Sequence, residues 1–141
     1  MKFVVISAVN IQSMSGETNF SKLIRSMKPV LNEGEYVFCS FSAPDGFDQK
    51  DAVCIFREKE GLSVILPKNI ADQNKYNYSF VASWITLTVH SSLEAVGLTA
   101  AISKALAEKN ISANVVAGFY HDHVFVSRRD ADRAMRVLGA I

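Results

Sequence analysis

The chain has 141 residues, 49% of them hydrophobic and 21% charged, with nine Phe and one Trp, so it carries enough apolar material for a packed core and is not a disordered polar segment. Fifteen basic and fourteen acidic side chains leave a formal charge of +1, which argues against a nucleic-acid-binding module. Nowhere does the sequence approach the run of about 20 apolar residues that a membrane span needs.

At the amino terminus, "MKFVVISAVNI" has one Lys and a short apolar run without a small-residue cleavage pattern, so residues 1–15 read as an extension or added strand rather than a signal peptide, with Met14 an alternative start. In "TNFSKLIRSMKP", Phe20, Leu23, Ile24 and Met27 recur on one helical face, with Thr18 as the expected N-cap and Pro29 as the stop. "EYVFCSFS" (35–42) follows an Asn-Glu-Gly turn and is rich in aromatic residues, which predicts a strand; "SAPDGFDQKD" is a loop. Two more strand-like runs, "AVCIFRE" and "LSVILP", flank a turn at Gly61, and "KNIADQN" has the length of one helical turn. Cys39 and Cys54 lie inside these apolar runs in no zinc-ligand spacing, as reduced thiols of a cytoplasmic protein would.

The polar stretch "QNKYNY" (73–78) marks the expected boundary between a unit at 16–77 and a unit at 78–141. Beyond it, "FVASWITLTVH" alternates Ile85, Leu87 and Val89 against Trp84, Thr86 and Thr88, giving a strand with one apolar face. "SSLEAVGLTAAISKALAEKN" reads as the longest helix, with Leu98, Ile102, Ala105 and Leu106 as its apolar stripe, Ser91 and Glu94 as a capping box, and Asn110 at its end. Two strands, "ISANVVAGFY" and "HVFVS", then enclose a Tyr120-His121-Asp122 turn, and "DADRAMRVLGAI" is a final helix burying Ala131, Ala134, Met135 and Leu138. Arg129, Arg133 and Arg136 share one face of that helix and read as a solvated surface. The order of elements suggests a duplicated α+β unit, although no residue-by-residue repeat is evident.

The His121-Asp122-His123 triplet invites a metal reading, but a site needs a third and usually a fourth ligand, and only His90 remains among the histidines. No nucleophile elbow, glycine-rich phosphate loop or paired-carboxylate pattern names a reaction. What the elements do bring together is a helix start and an acid. Free amides at the start of the long helix favour a carboxylate, and Asp122 could take an ammonium or guanidinium group, with Glu94 assisting and Asn114 in range on the neighbouring strand. A helix end for a carboxylate and an acid for an amine describe an amino-acid site.

The segment "SSLEAVGLTAAISKALAEKNISANVVAGFYHDHVFVSRRDADRAMRVL" closely resembles the ACT domain, in the variant shared with CASTOR-type arginine sensors and the regulatory domains of aspartate kinases. The resemblance is carried by Gly97 early in the first helix, "EKNIS" at its end, "FYHDHVFV" across the hairpin and "AMRVL" in the last helix, while "LNEGEYVFCSF" and "FREKEGLSVIL" resemble the first domain of tandem ACT proteins. It implies two ferredoxin-like βαββαβ domains in tandem, antiparallel sheets with helices on one face. It also implies a small ligand, most often an amino acid, at the first strand–helix loop, here Ser91, Ser92, Leu93, Glu94 and Gly97, facing Asn114, His121 and Asp122. The second domain lacks its fourth strand in the usual place, so that strand is expected from the other half or from the amino-terminal segment. The expected protein is a cytoplasmic, non-enzymatic, homodimeric amino-acid sensor without a cofactor or metal, acting on a separate protein partner and binding neither nucleic acid nor membrane. Two other readings are a ligand-free protein–protein interaction module and a metal-dependent enzyme using His121 and His123.

Overall fold

In the computed structural model, residues 16–141 are described, and the expected amino-terminal extension at 1–15 lies outside them. The first helix, α1 (Phe20–Ser26), is capped by Asn19, whose side chain accepts from the Lys22 amide at 3.1 Å; Thr18, the expected cap, stands one residue too early. A three-residue strand, β1 (Pro29–Leu31), follows, then β2 (Tyr36–Phe41), β3 (Cys54–Arg57) and β4 (Leu62–Pro67). A short helix α2 (Lys68–Gln73) leads to β5 (Val81–Leu87), the long helix α3 (Leu98–Glu108), the hairpin of β6 (Ala113–Ala117) and β7 (Asp122–Ser127), and the last helix α4 (Ala131–Gly139).

The described strands form one antiparallel sheet in the order β3-β4-β2-β5-β7-β6, with β1 in line with β2 along the same side of β5. β5 therefore works twice. Its first residues, Val81 and Ala82, pair with Val37 and Tyr36 of β2, as the fourth strand of the first domain; from Ala82 to Leu87 it pairs with β7, as the first strand of the second. Its last residues pair with β1, Leu31 opposite Ile85 and Pro29 opposite Leu87. β1 thus occupies the position of the second domain's fourth strand, which answers where that strand comes from: the other half of the same chain.

Side chains alternate across a strand, so residues of one parity share a face. Val81 packs on the first domain's core (Val37, Cys39, Leu62, Val64, Leu66, Ala71, Phe47), and Ile85 and Leu87, of the same parity, pack in the second core under Leu98, Ile102, Leu106, Ala134 and Leu138. Both helical layers consequently lie on one side of the sheet. The other side gathers Ile65, Ala82 and the fully buried Phe125, ringed by Tyr36, Phe38, Phe80, Trp84 and Val116. Phe125 stacks on Trp84 at 6.0 Å between centroids and meets Phe38 edge-on at 5.6 Å, the geometries that aromatic quadrupoles favour.

Register reveals a repeat that the bare sequence conceals. Cys54 opposite Ile65 in the first domain corresponds to Asn114 opposite Phe125 in the second, an offset of 60 residues. With that offset Val64, Ala71 and Asp72 recur as Val124, Ala131 and Asp132, basic Lys68 recurs as Arg128, and the burial pattern of β4 is that of β7. Tyr36 opposite Pro67 corresponds to Ala82 opposite Ser127, an offset of only 46. The second domain therefore carries 14 more residues between its first two strands, and α3 occupies them. The first domain has two short 3-10 turns there instead, Pro44–Gly46 and Gln49–Asp51, and Phe47 between them fills its core.

Ile102 is fully buried whereas Phe56 is 67% exposed on the edge strand β3. In urea unfolding, Ile102→Ala is expected to cost about 2–5 kcal/mol, and Phe56→Ala to stay within about 0.5 kcal/mol.

Candidate functional site

The helix start differs from the expected one, and the difference shapes the site. Residues 91–97 are loop, and α3 begins at Leu98 with Gly97 as its N-cap at φ +106°. A side chain there would be strained, and its Cβ would also stand 3.1 Å from the ring of Phe20. Ser92 does not cap the helix: its hydroxyl accepts from the Glu94 amide at 3.1 Å within the loop. Among the described residues no side chain caps α3, so its first-turn amides face the space before them.

Asp122 is likewise not in the turn. It opens β7 opposite Leu87 and Ala117, and the turn is closed by the Gly118 amide donating to the His121 carbonyl at 2.9 Å. Asp122 has the parity of Val124 and Val126, so it faces the helical layer, where it is 8% exposed and accepts from the hydroxyl of buried Ser91 at 3.2 Å. Ser91, Ser92, Leu93, Leu98, Thr99 and Asp122 all line one cavity of about 70 Å³. The buried carboxylate and the uncapped helix start thus share a small space, room for about two waters.

Two residues of this corner carry no signal in the sequence. Gly16 and Glu17 run parallel to the loop: the Glu17 amide donates to the His90 carbonyl at 2.7 Å, and its carbonyl accepts from the Ser92 amide at 2.9 Å. Gly16 lies so close that a Cβ would fall 2.3 Å from the Ser91 carbonyl carbon, so only glycine fits. The Glu17 carboxylate accepts from the Thr18 and Asn19 amides, each at 2.9 Å, and these bonds hold its pKa below the ordinary value.

The other expected residues are less gathered. Leu93 lines the cavity but is itself 67% exposed, Glu94 is exposed on the loop, and His121 reaches the Val89 carbonyl at 3.3 Å beside the site. Asn114 lies on the opposite face of the sheet, opposite Phe125, three residues along the ladder from Ala117, and is exposed on the edge strand. His123 also faces that side, where its Nδ1 accepts from the Trp84 indole N–H at 3.0 Å and lies 3.2 Å from the Thr86 hydroxyl. Among the described residues no three His, Cys, Asp or Glu side chains converge as metal ligands would.

The first domain offers no second copy of the corner. The equivalent of Asp122 at the 60-residue offset is Leu62, which is buried in the apolar core, and α3 has no counterpart.

Comparison with known proteins agrees with this architecture. A family model for the ACT domain matches residues 15–83 and a second ACT-domain model matches 79–140, overlapping at the start of the shared strand. A Vibrio cholerae protein of unknown function, described as a possible transport protein, is 48% identical over 84% of this chain and 91% of its own, with a TM-score of 0.76. An Agrobacterium tumefaciens protein is 20% identical, covering 81% and 87%, with a TM-score of 0.65. The ligand-free regulatory subunit of aspartate kinase from Thermus thermophilus shares the fold at 9% identity and a TM-score of 0.58, covering 80% of this chain and 94% of that one. No curated protein matches the sequence. The chain belongs to the ACT-domain family and carries two ACT domains in tandem. No helix of the described residues is long and apolar enough to cross a membrane.

Burial, and then the neighbouring His121, lower the pKa of His123 against the smaller opposing effect of Asp122. The Trp84 N–H also requires Nδ1 unprotonated. Stability from the neutral ring is therefore present above the unfolded value of about 6.5 and is lost as pH falls through the lower folded value. Unfolding followed by the single tryptophan is expected to show this loss as the pH is lowered below about 6.5, and His123→Gln is expected to flatten it.

Proposed function

We propose that the chain is a non-enzymatic regulatory protein that binds one amino acid per protomer at the corner between the Ser91–Gly97 loop and Asp122. The observation that carries this reading is that a buried carboxylate and an uncapped helix start line the same cavity. The α-carboxylate would meet the amides of Leu98 and Thr99, where the helix dipole favours a negative charge, and the α-ammonium would meet Asp122. Because the cavity is small, entry requires the loop to swing outward, and Gly97, in its left-handed conformation, is the natural hinge. Tandem ACT architecture supports a regulatory rather than a catalytic role.

Around the mouth, Leu93, Val96, Phe119 and Tyr120 are each more than half exposed. Such an apolar rim suits a second copy of the chain, and a homodimer closing over the site in the cytoplasm is part of this reading. The same rim supports the second reading, an interaction module for another protein that needs no ligand.

A thermal-shift screen of the amino acids on the full chain separates the two. The sensor reading predicts stabilisation by one or a few of them, about 2.7 kcal/mol at 100 times Kd, abolished in Asp122→Asn. No stabilisation by any amino acid, with partner capture unchanged in Asp122→Asn, would favour the interaction module.

A further inference from the structure

A larger hollow lies elsewhere, at the opposite end of the sheet. It holds about 960 Å³ and is framed by both domains: Lys68 at the start of α2, Ser79 and Phe80 before β5, Ser112 before β6, Ser127 at the end of β7 and Arg128 to Asp130 beyond it. Ser127 and Asp122 stand at the two ends of β7, about 17 Å apart along the strand, so this hollow is remote from the Asp122 corner.

Its charges do not cancel. Lys68 pairs with Asp72 at 2.7 Å, Arg128 with Glu35 at 3.0 Å, and Asp130 with Arg133 at 2.9 Å. Arg129 is different: among the described residues it has no carboxylate within ion-pair distance, although it lines the hollow. The hydroxyls of Ser79, Ser112 and Ser127 line it too, and none donates a hydrogen bond to another of the described residues. A guanidinium with no ion-pair partner among the described residues, three serines and Phe80 thus line a space of metabolite size.

We propose that this inter-domain hollow is a second binding site, taking a small hydroxylated metabolite with an anionic head, a phosphate or a carboxylate. The planar fork of Arg129 matches either head in a bidentate contact, and the serines hydrogen-bond the hydroxylated body. The repeat accounts for its position. Lys68 and Arg128 are equivalent residues, and both turn about Glu35, whose carbonyl accepts from the Lys68 amide at 2.8 Å while its carboxylate takes Arg128. At the next position the first domain has Asn69 and the second has Arg129, so the duplication has placed between the halves a cation with no ion-pair partner among the described residues.

Isothermal titration of the full chain with ribose 5-phosphate and with gluconate tests this and distinguishes the two heads. One of the two is expected to bind with 1:1 stoichiometry, to weaken by about tenfold or more in Arg129→Gln, and to be unchanged in Asp122→Asn. Arg129 is exposed, so its variant retains the fold, which circular dichroism verifies. Failure of both probes to bind at millimolar concentration, or equal binding by wild type and Arg129→Gln, would overturn the proposal. So would tight binding of a single-stranded oligonucleotide with a steep salt dependence and no response to either small probe, since that describes a charged surface rather than a pocket. Each of these three outcomes leaves the Asp122 reading standing.

Discussion

The structure depends on one set of backbone hydrogen bonds: the ladder that joins β5 to β2 at one end, to β1 at the other and to β7 along its length. A chain with two separate domains would close each sheet on its own fourth strand. Here the fourth strand of each domain is also, or continues into, the first strand of the other. Asn32 patches the break between β1 and β2, its amide donating to the Trp84 carbonyl at 2.8 Å and its side chain to the Trp84 carbonyl and Thr86 hydroxyl at 3.1 and 2.9 Å. The buried Phe125 cluster then fills the far face with residues from both halves. Neither half can lose its strands without exposing the core of the other.

This sharing also explains why the duplication is unequal. Once β5 serves both domains, the only freedom left is between the first and second strands of each, and there the halves diverge. The second domain inserts α3, an uncapped helix start and, through the loop before it, a wall for Asp122; the first inserts two tight turns and plugs the space with Phe47. Leu62 in place of Asp122 removes the charge as well. One end of the sheet therefore carries an acid facing helix amides, and the other, between the domains, carries Arg129, which has no ion-pair partner among the described residues.

Much of this was legible in the residues. The periodicity of Leu23, Ile24 and Met27, the alternation along β5, and the stripe of Leu98, Ile102 and Leu106 reflect burial, although Phe20, on the same helical face, stays 43% exposed. What the sequence concealed was local competition and long-range pairing. Ser91-x-x-Glu94 fits a capping box, but Gly97 takes a left-handed conformation that ends the loop, and the helix waits for Leu98. Asp122 fits a turn, yet the ladder reaches it because Gly118 and His121 close the turn first. Three-residue β1, opening on a proline, has no pattern of its own and exists because β5 needs a neighbour. The repeat was hidden because exchanges such as Ile65 for Phe125 keep burial and change identity. Gly16 matters through contact with a loop 75 residues away, which no local pattern encodes.

The claim beneath both sites is that the two ACT domains are one cooperative body joined through β5. Equilibrium urea unfolding, followed in parallel by far-ultraviolet circular dichroism and by the fluorescence of Trp84 on the shared strand, tests it directly. The account predicts a single transition with coincident midpoints for the two signals. Two separated transitions, with Trp84 reporting one and half the helical signal the other, would contradict it and make the domains independent neighbours.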